Sequence, residues 1–229
     1  GLAKKARVYD HGEIEIFSVK KTLETIKKAD IGILMINAAE SASLQDKKIR
    51  ALLEENRCGI IILANKWDMV SLKNTATLGL TRKKLYDDFK SINWAPIIFS
   101  SVANHRRGQI FGIEDRFVAA GQKSRVRENP IYELLDVVIS VFKNRHTTVS
   151  DEELKKWLAR VVARKAPPRA PGFPYPKISR VTQVGVNPPR FSIHIPKNSR
   201  LADHYFGYLT NQLRESFQLW GTVVSVGVG

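Results

Sequence analysis

The chain has 229 residues, 43% of them hydrophobic, enough for one large or two modest domains and too apolar for wholesale disorder. No apolar run approaches the roughly 20 residues that cross a bilayer, and the single cysteine, Cys58, excludes an internal disulfide. A formal net charge of +15 favours polyanion contact, because Lys and Arg neutralise phosphates and release counterions.

Taken in chain order, apolar runs alternate with amphipathic stretches, the pattern of a parallel sheet wrapped by helices. Ser18 to Lys28 reads as a helix. Ile31-Gly-Ile-Leu-Met-Ile36 reads as a strand covered on both faces, since it is continuously apolar. Ser43 to Asn56 reads as a helix. Gly59-Ile-Ile-Ile-Leu-Ala64 is a second buried strand, with Cys58 a small half-buried residue at its mouth. Thr81 to Phe89 has helical character. Ala95 to Phe99 is a third strand, with Pro96 near its start, where a missing N–H is tolerated. Asn104 to Asn129 is basic and irregular, long for a connection in a compact domain. It reads as a surface insertion. Ile131 to Phe142 is a helix rich in β-branched residues, so packing must hold it more than propensity does.

A second unit starts near Thr147, dividing the chain into domains 1–146 and 147–229. Ser150-Asp-Glu-Glu153 is a capping box, and Leu154, Trp157, Leu158, Val161 and Val162 follow at helical spacing. Pro167-Pro168 stops that helix. Lys177–Val186 and Arg190–Ile195 are strands joined by Asn187-Pro-Pro189. Leu201 to Leu219 is a helix with Leu201, Tyr205, Tyr208, Leu209, Leu213 and Phe217 on one stripe, ended by Gly221. Val224, Val226 and Val228 alternate in a last strand. Helix, strand, strand, helix, strand is an α+β module of the K-homology (KH) sort. From Arg164 to the end, nine Lys or Arg face only Asp203 and Glu215. That imbalance favours RNA contact over a merely solvated surface. The five histidines show no metal-ligand spacing, Trp157 and Trp220 sit at helical core positions, and no Ser-His-Asp arrangement occurs.

The residues with the clearest chemistry are Asn65-Lys66-Trp67-Asp68, directly after the second strand. Asn-Lys-x-Asp in that place reads guanine. A carboxylate at Asp68 can accept from the ring N–H and the amino group together. Adenine has no such donor pair and would leave Asp68 unsatisfied. Lys66 can lay its methylene stem along the base, and Asn65 can tie neighbouring loops together. A second segment, Phe99-Ser100-Ser101-Val102-Ala103, follows the third strand. It aligns with the Ser-Ala-Lys type loop whose backbone N–H groups meet the guanine carbonyl, placing Ser101 and Val102 at the site.

With these two segments in place, the chain resembles the Der (EngA) family of tandem GTPases along nearly its whole length. Gly1 to Val8 is similar to the end of that family's Asp-Thr-Ala-Gly-Leu-Arg-Arg-Lys switch segment, which puts Gly1 at the nucleotide. Glu15 to Thr22 resembles its Glu-x-x-Ser-Val-x-Arg-Thr helix. Asn65 to Asp68 matches, with the tryptophan included. Thr182-Gln183-Val184, Pro188 to Phe191 and Leu213 to Phe217 match in the second unit. Asn37 stands where the family has Asp, and Ser41 where it has Gly.

The resemblance implies a Ras-like P-loop GTPase domain, α/β and lacking its N-terminal strands, followed by an α+β KH-like domain. It implies GTP or GDP as ligand, and the large ribosomal subunit precursor and rRNA as partners, with no membrane. No glycine here is followed by lysine, so there is no phosphate loop. More chain is therefore expected before Gly1, and Mg²⁺ is expected only through those upstream residues. The full-length protein would be a GTPase and this portion alone inactive. The rival is a degenerate, non-catalytic rRNA scaffold. The setting implied is cytoplasmic and ribosome-associated, or else a mitochondrial or plastid matrix. No Gly-x-x-Gly clamp occurs in the second unit.

Overall fold

Two Ile-rich runs organise the first unit, because β-branched side chains favour the pleated backbone and must then be covered. A computed structural model describes residues 21–71, 75–102, 109–112 and 130–229. In it β1 (Ile31–Asn37) and β2 (Gly59–Asn65) pair in parallel, residue for residue from Ile31 with Gly59 to Asn37 with Asn65. β3 (Ile97–Ser101) runs parallel to β2, and β4 (Gln109–Gly112) runs antiparallel to β3. The order across the sheet is β1-β2-β3-β4.

Ile60, Ile61 and Ile62 of β2 are fully buried, as expected for an interior strand. β1 corrects the expectation of a strand covered on both faces. Leu34 and Ile36 are buried, whereas Ile33 and Met35 are 44% and 58% exposed. A continuous apolar run fixes neither the number of covered faces nor the neighbours; periodicity alone cannot separate these cases.

The helices follow from local signals. Residues 21–28 form α1. α2 (Leu44–Glu55) begins at Ser43, whose side chain accepts from the Asp46 N–H while the Asp46 carboxylate accepts from the Ser43 N–H. This reciprocal cap satisfies two of the orphan donors of the first turn. Leu53 of α2 lies directly over Gly32, where any Cβ would collide with its methyl groups. Glycine there lets α2 close on β1.

α3 (Thr75–Asp88) starts six residues before the expected Thr81. Its first turns, Thr75 to Leu80, include two threonines and Gly79, all poor helix formers. β3 lies two residues further along than Ala95–Phe99, with Pro96 just outside it, accepting at its carbonyl from the Ile62 N–H at 2.9 Å. The stretch read as an irregular insertion contains β4, so part of it belongs to the sheet. α4 (Pro130–Arg145) opens on a proline, which lacks only an N–H that the first turn would leave unpaired. Its Val137 and Val141 join Ile61, Leu63 and Ile98 in a buried cluster. Cys58 is fully buried rather than half-buried, with Sγ 3.3 Å from the Ala29 carbonyl.

The chain divides into the units Gly1–Phe142 and Lys143–Gly229. The second begins within the last turn of α4, because Arg145 is buried and donates from Nε to Asn187 Oδ1 at 2.9 Å. It then runs α5 (Asp151–Arg164), β5 (Arg180–Gly185), β6 (Arg190–His194), α6 (Asp203–Phe217) and β7 (Ser225–Val228). β5 and β6 are antiparallel and β7 is parallel to β6. The expected helix–strand–strand–helix–strand order is the observed one.

One core unites the elements of this second unit: Leu154, Trp157 and Val161 of α5, Phe191 and Ile193 of β6, Tyr205, Leu209 and Leu213 of α6. Tyr205 donates to the Lys165 carbonyl at 2.7 Å. Burial, with Tyr208 beside it, pushes the Tyr205 phenol up to about 12. α6 ends on Gln218 in a left-handed conformation, φ 53°, not on Gly221, which takes its positive φ three residues later. Trp220 follows the helix and is half-buried.

Ser150 caps α5 as its spacing predicts, donating through its hydroxyl to Glu153 at 2.6 Å and through its N–H at 2.9 Å. These two bonds hold the Glu153 carboxyl below the usual carboxylate range. The resulting contribution to stability is present above the ordinary carboxylate pKa and is lost as pH falls through the lowered one. Ser150→Ala is expected to move the Glu153 titration upward in NMR. It should also shift the acid side of the thermal-melting profile to higher pH.

Candidate guanine-binding site

The carboxyl ends of β1, β2 and β3 form one edge of the sheet, and open α/β folds place ligands at such an edge. Register brings the parts together. Asn37 is level with Asn65, and Ala64 with Phe99, so the residues after each strand emerge side by side.

Asn65 ends β2 and joins its neighbours. Its carbonyl accepts from the Ala38 N–H at 2.8 Å, beyond β1. Its Oδ1 accepts from the Ser100 hydroxyl at 3.3 Å, on β3. Asn65 thus links the end of β2 to the residue after β1 and to β3. Lys66 follows with φ 63° and ψ 34°, a left-handed conformation rare for a residue bearing a Cβ. Its side chain is exposed, and its carbonyl accepts from the Met69 N–H at 3.0 Å, closing the tight turn. Strained backbone of this kind collects at ligand loops.

Trp67 is in the core and not at the surface of the site. Only 2% of it is exposed, and its ring packs on Phe99 with centroids 4.8 Å apart at 56°. The Arg82 guanidinium lies 5.7 Å from the same Phe99 ring. Trp67 thus supports the turn from beneath.

Asp68 sits half-buried beside β3, where its Oδ1 accepts from the hydroxyl of the buried Ser101. A carboxylate offers about four lone-pair positions, so one bond to Ser101 leaves room for two further donors. Val102 is next and is 61% exposed. Ala103 and Gly1 lie outside the described residues, so the structure brings together Asn65, Lys66, Asp68, Ser101 and Val102.

Two residues beside these, Ser100 and Asn37, were given no site role from the sequence. Ser100 was read only as part of the strand end, although alternation alone would have aimed it away from Ser101 and toward Asn65. Asn37 closes a small turn, accepting from the Ala39 N–H at 3.2 Å and donating to Glu40 at 2.7 Å. Asn and Asp both make such turns, so the Asp-to-Asn difference at this position preserves that turn-forming capacity.

A sheet of three parallel strands with an antiparallel fourth and an Asn-Lys-x-Asp turn on its carboxyl edge, followed by an α–β–β–α–β unit, has the architecture of a GTPase-type domain joined to a KH-like module. Comparison with known proteins agrees. Residues 148–228 match the family described as the C-terminal KH-domain-like region of EngA bacterial GTPase enzymes. The chain is 33% identical over 224 residues to GTPase Der of Lachnospira eligens, covering 98% of this chain and 45% of that protein. It is 30% identical over 226 residues to GTPase Der of Fusobacterium nucleatum, covering 99% and 46%. The chain is thus similar along nearly its whole length to the Der (EngA) GTPases, consistent with part of the second GTPase domain plus the KH-like domain. It spans a little under half the length of the relatives it matches. Aquifex aeolicus Era bound to GDP and AlF4⁻ is a distant likeness, with a TM-score of 0.41 at 13% identity over 98% of this chain and 74% of that one.

Because Trp67 fills the core below the turn, Trp67→Ala is expected to cost about 3–5 kcal/mol of first-unit stability. Urea unfolding followed by circular dichroism measures it. A cost within about 0.5 kcal/mol of zero would place the ring outside the core.

Proposed function

We propose that this chain is the guanine-reading and RNA-facing portion of a GTPase that acts in assembly of the large ribosomal subunit in the cytoplasm. The observation that carries the reading is the Asp68 carboxylate, held at the mouth of β2 by the Ser101 hydroxyl at the mouth of β3. Guanine's ring N–H and amino group form a two-donor edge that a carboxylate in this position satisfies. The bond to Ser101 limits the rotation of the Asp68 side chain before the base arrives, so less ordering entropy is lost on binding. Lys66 is exposed next to it, its methylene stem available to cover the flat of the base. Main-chain N–H groups at Ser101 and Val102 supply donors for the guanine carbonyl.

Base recognition is the task of the residues present here. Hydrolysis is assigned to the full-length protein, since the 229 residues contain no phosphate loop. The 229-residue chain alone is read as inactive. The second unit supplies the polyanion affinity: from Arg164 onward, that residue included, its basic residues outnumber its acids by seven.

Asp68→Asn in the full-length protein replaces a double acceptor with a group that is half donor. It is expected to abolish the preference for GTP over ATP while leaving the fold intact. Competition binding with both nucleotides checks it, and undiminished discrimination would remove Asp68 from the site.

A further inference from the structure

The segment between α5 and β5 has no regular secondary structure, yet its own residues hold it in place. Residues 164–180 contain five prolines, five Lys or Arg and no acid. Proline fixes φ at each of its positions and lowers the entropy lost on ordering. Ala170 is 7% exposed and Pro176 is buried, so the segment is anchored on both sides of its tip. The Phe173 N–H donates to the Ala170 carbonyl at 3.1 Å, and Gly172 takes φ 78° in the turn between them.

Between those anchors Tyr175 projects with 73% of its surface exposed. The Arg169 guanidinium lies 5.8 Å from its ring centroid, and Arg169 Nε donates to the Phe173 carbonyl at 2.8 Å. The guanidinium is thus fixed from the backbone side and oriented on the ring. Lys177 is exposed two residues beyond Tyr175. Arg180 lies further along, paired with Asp151 at 2.7 Å. By contrast, the tyrosines of α6 have structural duties: Tyr205 and Tyr208 each donate to a carbonyl of the α5 end.

We propose that Tyr175 and Arg169 form a stacking platform for an unpaired base of RNA, with Lys177 and Arg164 beside the backbone phosphates. This rests on the reading of the second unit as RNA-facing and names where the contact is made. Aromatic rings and guanidinium planes stack any base, and a basic segment with no acid of its own attracts the strand that carries it. With Tyr175 73% exposed, the ring has little packing role within the unit to explain it. The absence of a Gly-x-x-Gly clamp gives the module a need for another grip.

The test uses the full chain, a fluorescein-labelled oligouridine and a duplex RNA control, with fluorescence anisotropy at several salt concentrations. Tyr175→Ala is expected to weaken oligouridine binding roughly 5- to 150-fold with little change in salt slope, and Tyr175→Phe to stay within about twofold of wild type. Arg169→Ala should weaken binding and lower the salt slope by about 0.7. Melting temperatures of the variants should match wild type, since the ring is exposed. Wild-type binding with an unchanged Tyr175→Ala affinity overturns the platform and leaves the RNA-facing reading standing. So does an equal Tyr175→Ala loss on duplex RNA, which has no unpaired base to stack. Failure of the wild-type chain to bind either RNA overturns the reading and the platform together.

Discussion

Parallel pairing of β2 with a neighbour on each side is the constraint on which the first unit depends. A fully buried run of isoleucines leaves its N–H and C=O groups no water to bond with, so both edges must be paired. Once β1 and β3 take those places, the register is no longer free. Asn65 must come level with Asn37, and the residues after Ala64 must come level with the end of β3. The hydrogen bonds from Ser100 to Asn65 and from Ser101 to Asp68 are consequences of that alignment. The polar groups of Asn65, Asp68, Ser100 and Ser101 are thereby held at rigid strand ends, and the turn between them carries the strain.

How much of this was legible in the sequence differs from element to element, for physical reasons. β2 and its motif were plain, because an uninterrupted Ile run followed by Asn-Lys-x-Asp satisfies a local and a chemical pattern at once. The caps at Ser43 and Ser150 were legible because reciprocal capping needs only a fixed spacing. The start of α3 was not, since threonine and glycine resist helix locally and only tertiary packing overrides them. β4 was hidden for a related reason: four residues in a basic stretch become a strand through pairing with β3, which no local pattern announces. The exposure of Ile33 and Met35 was invisible too, because it depends on what lies beside β1 and not on β1 itself.

Charge was the least transparent quantity. Arg214 was counted among the cations available to RNA, yet it is 6% exposed and donates to the Thr222 carbonyl at 3.4 Å. Arg145 is 3% exposed and bonds to the Asn187 side chain, while the Asn187 N–H bonds back to the Arg145 carbonyl at 2.9 Å. A buried guanidinium is costly unless its donors are met, so both arginines act as internal braces of the turn and of the segment after α6. Arg190 differs from them: its side chain lies over Gly185, but the residue stays exposed. Net charge read from composition thus overstates the surface field of the second unit.

Removing those braces from the count concentrates the remaining surface charge. The cations left are weighted toward the segment from Arg164 to Arg180, which contains no acid of its own and in which Arg180 is paired with Asp151. Coulomb attraction between exposed charges and a polyanion is screened within about 10 Å at ordinary salt, so local density matters more than the total. The guanine discrimination and the polyanion affinity proposed above would therefore draw on different physics. The first needs one carboxylate fixed in angle and distance, and a single misplaced bond ruins it. The second needs many cations and an aromatic face, and tolerates loss of any one cation. Divergence at Asn37, Ser41 or Val102 puts pressure on the former, whereas the basic segment can drift in sequence while its charge is kept. That asymmetry explains why the site is recognised from four consecutive letters, and why an RNA-contacting surface has to be found from three-dimensional exposure and counted charge.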